Sequence, residues 1–136
     1  MDFLRSIAIA ASGLRAQAGR MRIISENIAN SDSTAPSPDG EPYRRKIPTF
    51  QSEVDRTLDA QLVTLGRVKT DPSDFRVKHE PGHPAADENG NVKYPNVNSL
   101  VEMMDLREAQ RSYEANVNVI GASRRMIQRT LDILKG

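Results

Sequence analysis

The 136-residue chain contains no cysteine and no tryptophan. Without cysteine there is no disulfide, no thiolate nucleophile and no thiolate metal ligand, and the redox compartment stays open. Aromatic residues are scarce, three Phe and three Tyr, and 19 Lys and Arg against 18 acids leave a net charge of +1. A nucleic-acid site combines aromatic platforms with a positive field, and the chain offers neither. The basic clusters Arg44-Arg45-Lys46 and Arg124-Arg125 therefore read as solvated or salt-bridged surface. Long hydrophobic runs are also missing. The run Ile7 to Ala11 is too short to span a membrane and is followed by Arg15, Arg20 and Arg22. It lacks a basic leader, so no cleaved signal peptide is expected.

Catalytic motifs are absent as well: there is no G-x-S-x-G, no phosphate-binding loop and no dinucleotide fingerprint. Histidine is limited to His79 and His83, which lie with Glu80 in one stretch. Pro81-Gly82 breaks the helix that would set both imidazoles on one face, so no metal site is expected there. Asp87, Asn89 and Asn91 resemble the start of a calcium loop, but the required glycine at the sixth position is Val92 and no Glu follows at the twelfth. The expectation is a non-enzyme with no cofactor, no metal and no small-molecule substrate.

Proline is missing from both ends, since all eight prolines fall between Pro36 and Pro95. The first 30 residues and the last 38 hold 33 apolar residues, whereas the equally long middle holds 18. Two long terminal helices around an apolar-poor middle follow. The fold class expected is mainly α with a small β part, the terminal helices pairing like a coiled coil around an irregular or β-hairpin segment. Residues 1–32 form the N-terminal helix segment, 33–98 the Pro-rich middle and 99–136 the C-terminal helix segment.

In the head, Ile7, Leu14, Met21 and Ile28 are spaced by seven and share one helical face. Leu4, Ile9 and Ile23 fall off that face and would be exposed in a two-helix hairpin. The helix should end in Asn30-Ser31-Asp32-Ser33, residues that favour turns. In the middle, Tyr43 to Phe50, Arg67 to Lys69, Phe75 to His79 and Asn91 to Tyr94 read as extended pieces. Asn89-Gly90 marks a tight turn within a small β unit over 75–94. Val54, Leu58, Leu62 and Leu65, at fours and threes, suggest a short helix over 51–65.

The tail opens on Ser99-Leu-Val-Glu102, a capping-box pattern. A helix from there to Lys135 would run about 55 Å at 1.5 Å per residue. Its seam reads Met103, Leu106, Gln110, Tyr113, Val117, Ile120, Arg124, Ile127, Leu131 and Leu134, at 3-4 spacing. Gln110 and Arg124 interrupt it as register candidates. A second stripe, including Val101, Met104, Val119, Met126 and Ile133, lies roughly opposite, so the helix asks for partners on two sides. A single chain offers one other long helix, and the surplus stripe points to other copies in an open assembly. A soluble coiled-coil adaptor or chaperone-like binding module is the alternative reading of the same stripes.

The segment Ile9-Ala-Ala-Ser-Gly-Leu14, then Met21 and Ile28-Ala-Asn30, resembles the N-terminal signature of bacterial flagellar rod and hook proteins. Pro42-Tyr-Arg-Arg-Lys46, Pro81-Gly-His-Pro84 and Val92-Lys-Tyr-Pro-Asn-Val-Asn98 are similar to the proximal-rod branch of that family. Arg111-Ser-Tyr-Glu-Ala-Asn116 with Leu131 resembles its C-terminal helix. The resemblance implies a structural subunit of the basal-body rod, the drive shaft that crosses the periplasm and carries torque for motility. It implies type III export without a cleaved signal. The partners it implies are other copies and other rod proteins, with the rod-to-ring junction protein and the export gate as further candidates.

Overall fold

A computed structural model describes residues 2–136. Helix α1 spans Phe3–Ala29 and helix α2 spans Ser99–Lys135, with six short strands between them. The strands are β1 (Lys46–Ile47), β2 (Phe50–Asp55), β3 (Ala60–Leu65), β4 (Lys69–Thr70), β5 (Arg76–His79) and β6 (Asn91–Tyr94). They pair antiparallel as β1 with β4, β2 with β3 and β5 with β6. The fold class expected from the sequence is the one observed.

The chain forms two compact units, each taking part of both helices. Among the described residues the first comprises 2–21, 49–67 and 107–136. In it Ser12, Ala16 and Gly19, small residues at helical spacing, form the face of α1 that receives the β2–β3 hairpin. The Ser12 hydroxyl accepts the Val63 N–H at 3.1 Å and donates to the Ile9 carbonyl at 2.7 Å. A Cβ on Gly19 would meet Leu65 Cδ2 at 2.9 Å, so a side chain there would displace Leu65. At the hairpin tip Arg5 Nε donates to the Leu58 carbonyl at 2.9 Å. Helix α2 meets α1 on another face: Gly13 abuts Asn116, and Arg20 pairs with Glu108 at 3.5 Å. Moving up α1 thus moves down α2, and the pair is antiparallel in this unit.

The short helix expected over 51–65 is therefore a hairpin. Asp55 Oδ1 accepts the Thr57 and Leu58 N–H groups at 2.9 and 3.1 Å, and Asp59 adopts φ 48°. That side-chain turn reverses the chain before a helix can propagate, and α1 supplies the surface that a lone hairpin lacks.

The second unit comprises residues 22–48 and 68–106. Its core is Ala85, Val92 and Tyr94, with Ala86 packed alongside. The β5–β6 pair agrees with the expected β unit, but Asn89-Gly90 does not form a two-residue tip. Residues 80–90 connect the strands, and Asp87 Oδ1 accepts the N–H groups of Asn89 and Asn91, both at 2.9 Å. Gly90 has φ +78°, and a Cβ there would lie 2.9 Å from His79 Cε1 and 3.0 Å from Pro81 Cγ. Only glycine relieves both the φ and the contact.

Helix α1 closes as expected: the Asn30 side chain donates to the Glu26 carbonyl and accepts from the Ser33 hydroxyl. Helix α2 is capped differently from the reading of its sequence. Asn98 is the cap, its Oδ1 accepting from the Leu100 and Val101 N–H groups at 3.1 and 3.4 Å. Glu102 is freed from the capping box and is 1% exposed, engaged elsewhere.

Candidate assembly site

Two features stand out: a buried polar node in the second unit and the apolar surface of the long helices. The node is built around Asn27, which is fully buried. Its Nδ2 donates to the Lys46 carbonyl at 2.8 Å and to Glu102 Oε2 at 3.3 Å. Its Oδ1 accepts from the Tyr43 hydroxyl at 2.7 Å and from the Lys46 N–H at 2.9 Å. The side-chain amide thus pairs with both backbone groups of Lys46, as a neighbouring strand would, and closes that edge of β1.

Glu102 reaches the node from α2 and is held by Arg45 Nε as well as by Asn27. Arg45 also pairs with Asp71 at 3.3 Å and approaches Asp105 at 3.9 Å. Lys46 Nζ pairs with Glu26. Asn96 binds the Arg45 N–H at 2.8 Å and the carbonyls of Asp71 and Ser73. Every buried charge in this cluster has a partner of opposite sign, the condition under which a buried ion pair is tolerated.

The node perturbs its titratable groups. Burial, reinforced by Glu26 and Glu102, pushes the Tyr43 phenol up to about 12. Burial would lower the Arg45 guanidinium, but the hydrogen bond and charge of Glu102, then those of Asp71, outweigh it and raise it. Asp71 is held below the ordinary carboxylate range, first by hydrogen bonds from the Ser73 backbone and side chain and then by Arg45. In the nearby core the Tyr94 hydroxyl donates to Glu80, which raises its phenol.

The node was not anticipated as such. Arg44-Arg45-Lys46 reads as surface in the sequence, yet Arg45 turns inward. The available signal was Asn27 four residues after the buried Ile23, with an acid at the start of α2, but nothing local said they would meet. His79 and His83 have structural partners: His79 lies 3.4 Å from Asn91 Oδ1, and His83 Nδ1 accepts the Ala85 N–H at 3.0 Å. Among the described residues no group of three or more His, Asp and Glu is placed to hold a metal.

The seam residues of the two helices divide by exposure in the single chain. Ile7, Leu14, Met21 and Ile28 are half-buried on α1, and Leu106, Tyr113, Ile120 and Ile127 are half-buried on α2. The alternate positions Met103, Gln110, Val117 and Arg124 are exposed, and so are Leu131 and Leu134. One residue earlier in each turn lie the inward positions: Glu102, Ala109 and Ser123 are buried and Asn116 is half-buried. The inward line of α2 is thus polar or small at every second position. A pattern search by apolar size slides onto its larger neighbours. Gln110 and Arg124 do not interrupt an intramolecular seam.

Of the second-face residues, Leu4, Ile9, Val101, Met104, Val119, Met126 and Ile133 are exposed. Ile23 is the exception at 3% exposed. It borders one hollow together with Lys46, Val68 and Thr70 of the middle segment. A two-helix hairpin alone would have left it bare.

Residues 7–35 match the family described as Flagella basal body rod protein, and residues 88–133 match Flagellar basal body rod FlgEFG protein C-terminal. The chain is 51% identical over 127 residues to the flagellar basal-body rod protein FlgC of Agrobacterium fabrum, spanning 93% of this chain and 91% of that protein. The chain belongs to the FlgC family of flagellar basal-body rod proteins. It is 39% identical to the FlgC of Borreliella burgdorferi over the whole of both chains. It is 38% identical to that of Salmonella typhimurium over 98% of each. Asn27 and Glu102 lie one in each family-matched segment, whereas the β2–β3 hairpin lies in neither. The FlgC-family chain thus joins its two matched segments through a node that the intervening Tyr43, Arg45 and Lys46 complete.

Proposed function

We propose that this chain is a structural, non-enzymatic subunit of the proximal rod of the flagellar basal body, assembling through its terminal helices into the shaft that transmits motor torque. The observation that carries the reading is the similarity to FlgC rod proteins over nearly the full length, in a chain whose helices leave Leu4, Ile9, Met103, Met104, Ile133 and Leu134 among their exposed large apolar residues. Burying that surface between subunits is favourable at about 25 cal/mol per Å². The helix segments 1–32 and 99–136 are the axial core in this reading, and 33–98 the outer part. Its partners are other copies and other rod proteins, with the junction protein and export gate at the ends. The subunit reaches the periplasm by the flagellar export route without losing a signal peptide. No helix among the described residues is long and apolar enough to cross a membrane, which suits a subunit that passes through a ring as part of a shaft. The test is complementation. A strain lacking its own proximal-rod subunit should regain swimming and complete basal bodies in electron micrographs when it carries this chain. Failure of a well-expressed, exported chain to restore rods would refute the reading.

A further inference from the structure

The antiparallel pairing of α1 with α2 has uneven ends. Gly13 lies against Asn116 and α1 begins at Phe3, so α1 runs out near Met126 of α2. By that register Ile127 to Lys135 extend past the first residue of α1, an overhang of about 13 Å at 1.5 Å per residue. That overhang is apolar and basic. Leu131 is 46%, Ile133 79% and Leu134 77% exposed. Arg129 and Lys135 pair with no acid among the described residues, and Asp132 contacts only Gln128 and the closing turn.

The same unit contains a groove of about 380 Å³ between α1 and the β2–β3 hairpin. Ala16, Leu62 and Leu65 give it an apolar lining, and Glu53 and Asp55 give it acidic character. Among the described residues neither acid is paired with a cation, and the groove's own cation is Arg15. The inventories match: apolar against apolar, two acids against Arg129 and Lys135, and Arg15 against Asp132. The overhang cannot enter the groove of its own chain. It projects past the start of α1, whereas the groove lies beside residues 12–16, more than two helical turns in the other direction.

We propose that the α2 overhang of one copy docks into the α1/β2–β3 groove of a second copy. The contact is heterologous, since tail and groove are different surfaces, and each copy keeps one free tail and one free groove. Such a contact does not close on itself unless a rotation forces a ring, and it adds subunits in one direction. It uses the helix-in-groove mode, with Leu131 and Leu134 as anchors one turn apart. This inference rests on the rod reading and specifies one contact within it.

The absence of native cysteine makes the test direct. Full-length L134C and full-length E53C are mixed and oxidised, and the yield of heterodimer is compared with that of L134C mixed with V77C, Val77 being exposed on β5 in the other unit. The proposal expects the first mixture to exceed the second at least five-fold. Adding E53K/D55K to a groove partner that carries its cysteine at Thr64, a groove-lining position, should lower the yield roughly three- to five-fold relative to T64C alone, and R129E/K135E on the tail partner should restore it. Equal yields with Glu53 and Val77, or no rescue by the paired charge reversal, would overturn the contact. Complementation by the wild-type chain separates the two levels. Restored rods without the cross-link remove the contact and leave the rod reading, whereas a cross-link without restored rods removes the rod reading.

Discussion

Replacing Asn27 by alanine should cost more stability than any other single truncation in the second unit. The substitution deletes an amide whose four contacts are all used. The Lys46 N–H and C=O lose their partner together, and the flanking β1–β4 ladder is two residues long, too short to re-pair them. An orphaned buried polar group costs about 1–3 kcal/mol, so the pair gives about 2–4 kcal/mol after partial hydration. A further loss comes from Glu102, which keeps Arg45 but loses one of its donors. With a urea slope of about 1.5–2 kcal/mol/M for a chain of this size, the unfolding midpoint should fall by about 1–3 M. Far-UV circular dichroism with Tyr fluorescence reads the transition, no tryptophan being present to mask it. N27D should do no better than N27A, because a carboxylate cannot donate to the Lys46 carbonyl and places a second negative charge beside Glu102. A midpoint shift below about 0.3 M for N27A would mean that water or a rearranged β1 satisfies Lys46, and the strand-mimic argument would fall.

Three further expectations follow from other parts of the molecule. G90A should destabilise the chain by about 1–3 kcal/mol in urea unfolding, since φ +78° and the close approach of His79 both oppose a Cβ; a neutral effect would contradict the packing at that turn. The Tyr43 phenol, raised to about 12, favours the protonated form in the folded state, so its contribution is complete below the ordinary value of 10.0 and is lost as the pH rises from there through about 12. Absorbance near 295 nm should therefore show a phenol titrating near pH 12 that disappears in Y43F, and stability should fall over that window less steeply in Y43F. V119D/M126D changes two half-exposed positions of α2, so the circular dichroism of the purified chain should stay close to wild type while rods fail to form; wild-type swimming by that variant would remove the outer stripe of α2 from the assembly surface.

The helices were legible because their signals are local and repeated. Turn residues after Ala29 and prolines confined to the middle bound α1 and α2 to within a few residues. The β5–β6 pair was legible for the same reason, although its connection was longer than Asn89-Gly90 suggested. The β2–β3 hairpin was not, because Val54, Leu62 and Leu65 of its strands and Leu58 of its turn fall at a helical period. The choice was made by the Asp55 turn and by the small-residue face of α1, which lies more than thirty residues away in sequence. The node was illegible in a different way: Asn27, Arg45 and Glu102 are ordinary polar residues until three segments converge on them.

From its residues alone, then, this protein was determined to be a pair of long striped helices around an apolar-poor middle, with more apolar surface than one chain can use. Helical periodicity and the steric limits of proline act within a few residues of sequence, and no partner is needed to read them. Tertiary structure alone decided which line of α2 turns inward, that Ile23 is covered, and that Asn27 and Glu102 form the centre of a node. In the first unit Gly13 lies close against Asn116 and Gly19 against Leu65, and in the second Asn27 and Glu102 are buried with hydrogen-bond partners for their polar atoms. Packing of that kind selects side chains by fit and by available hydrogen bonds, and apolar size carries no record of it.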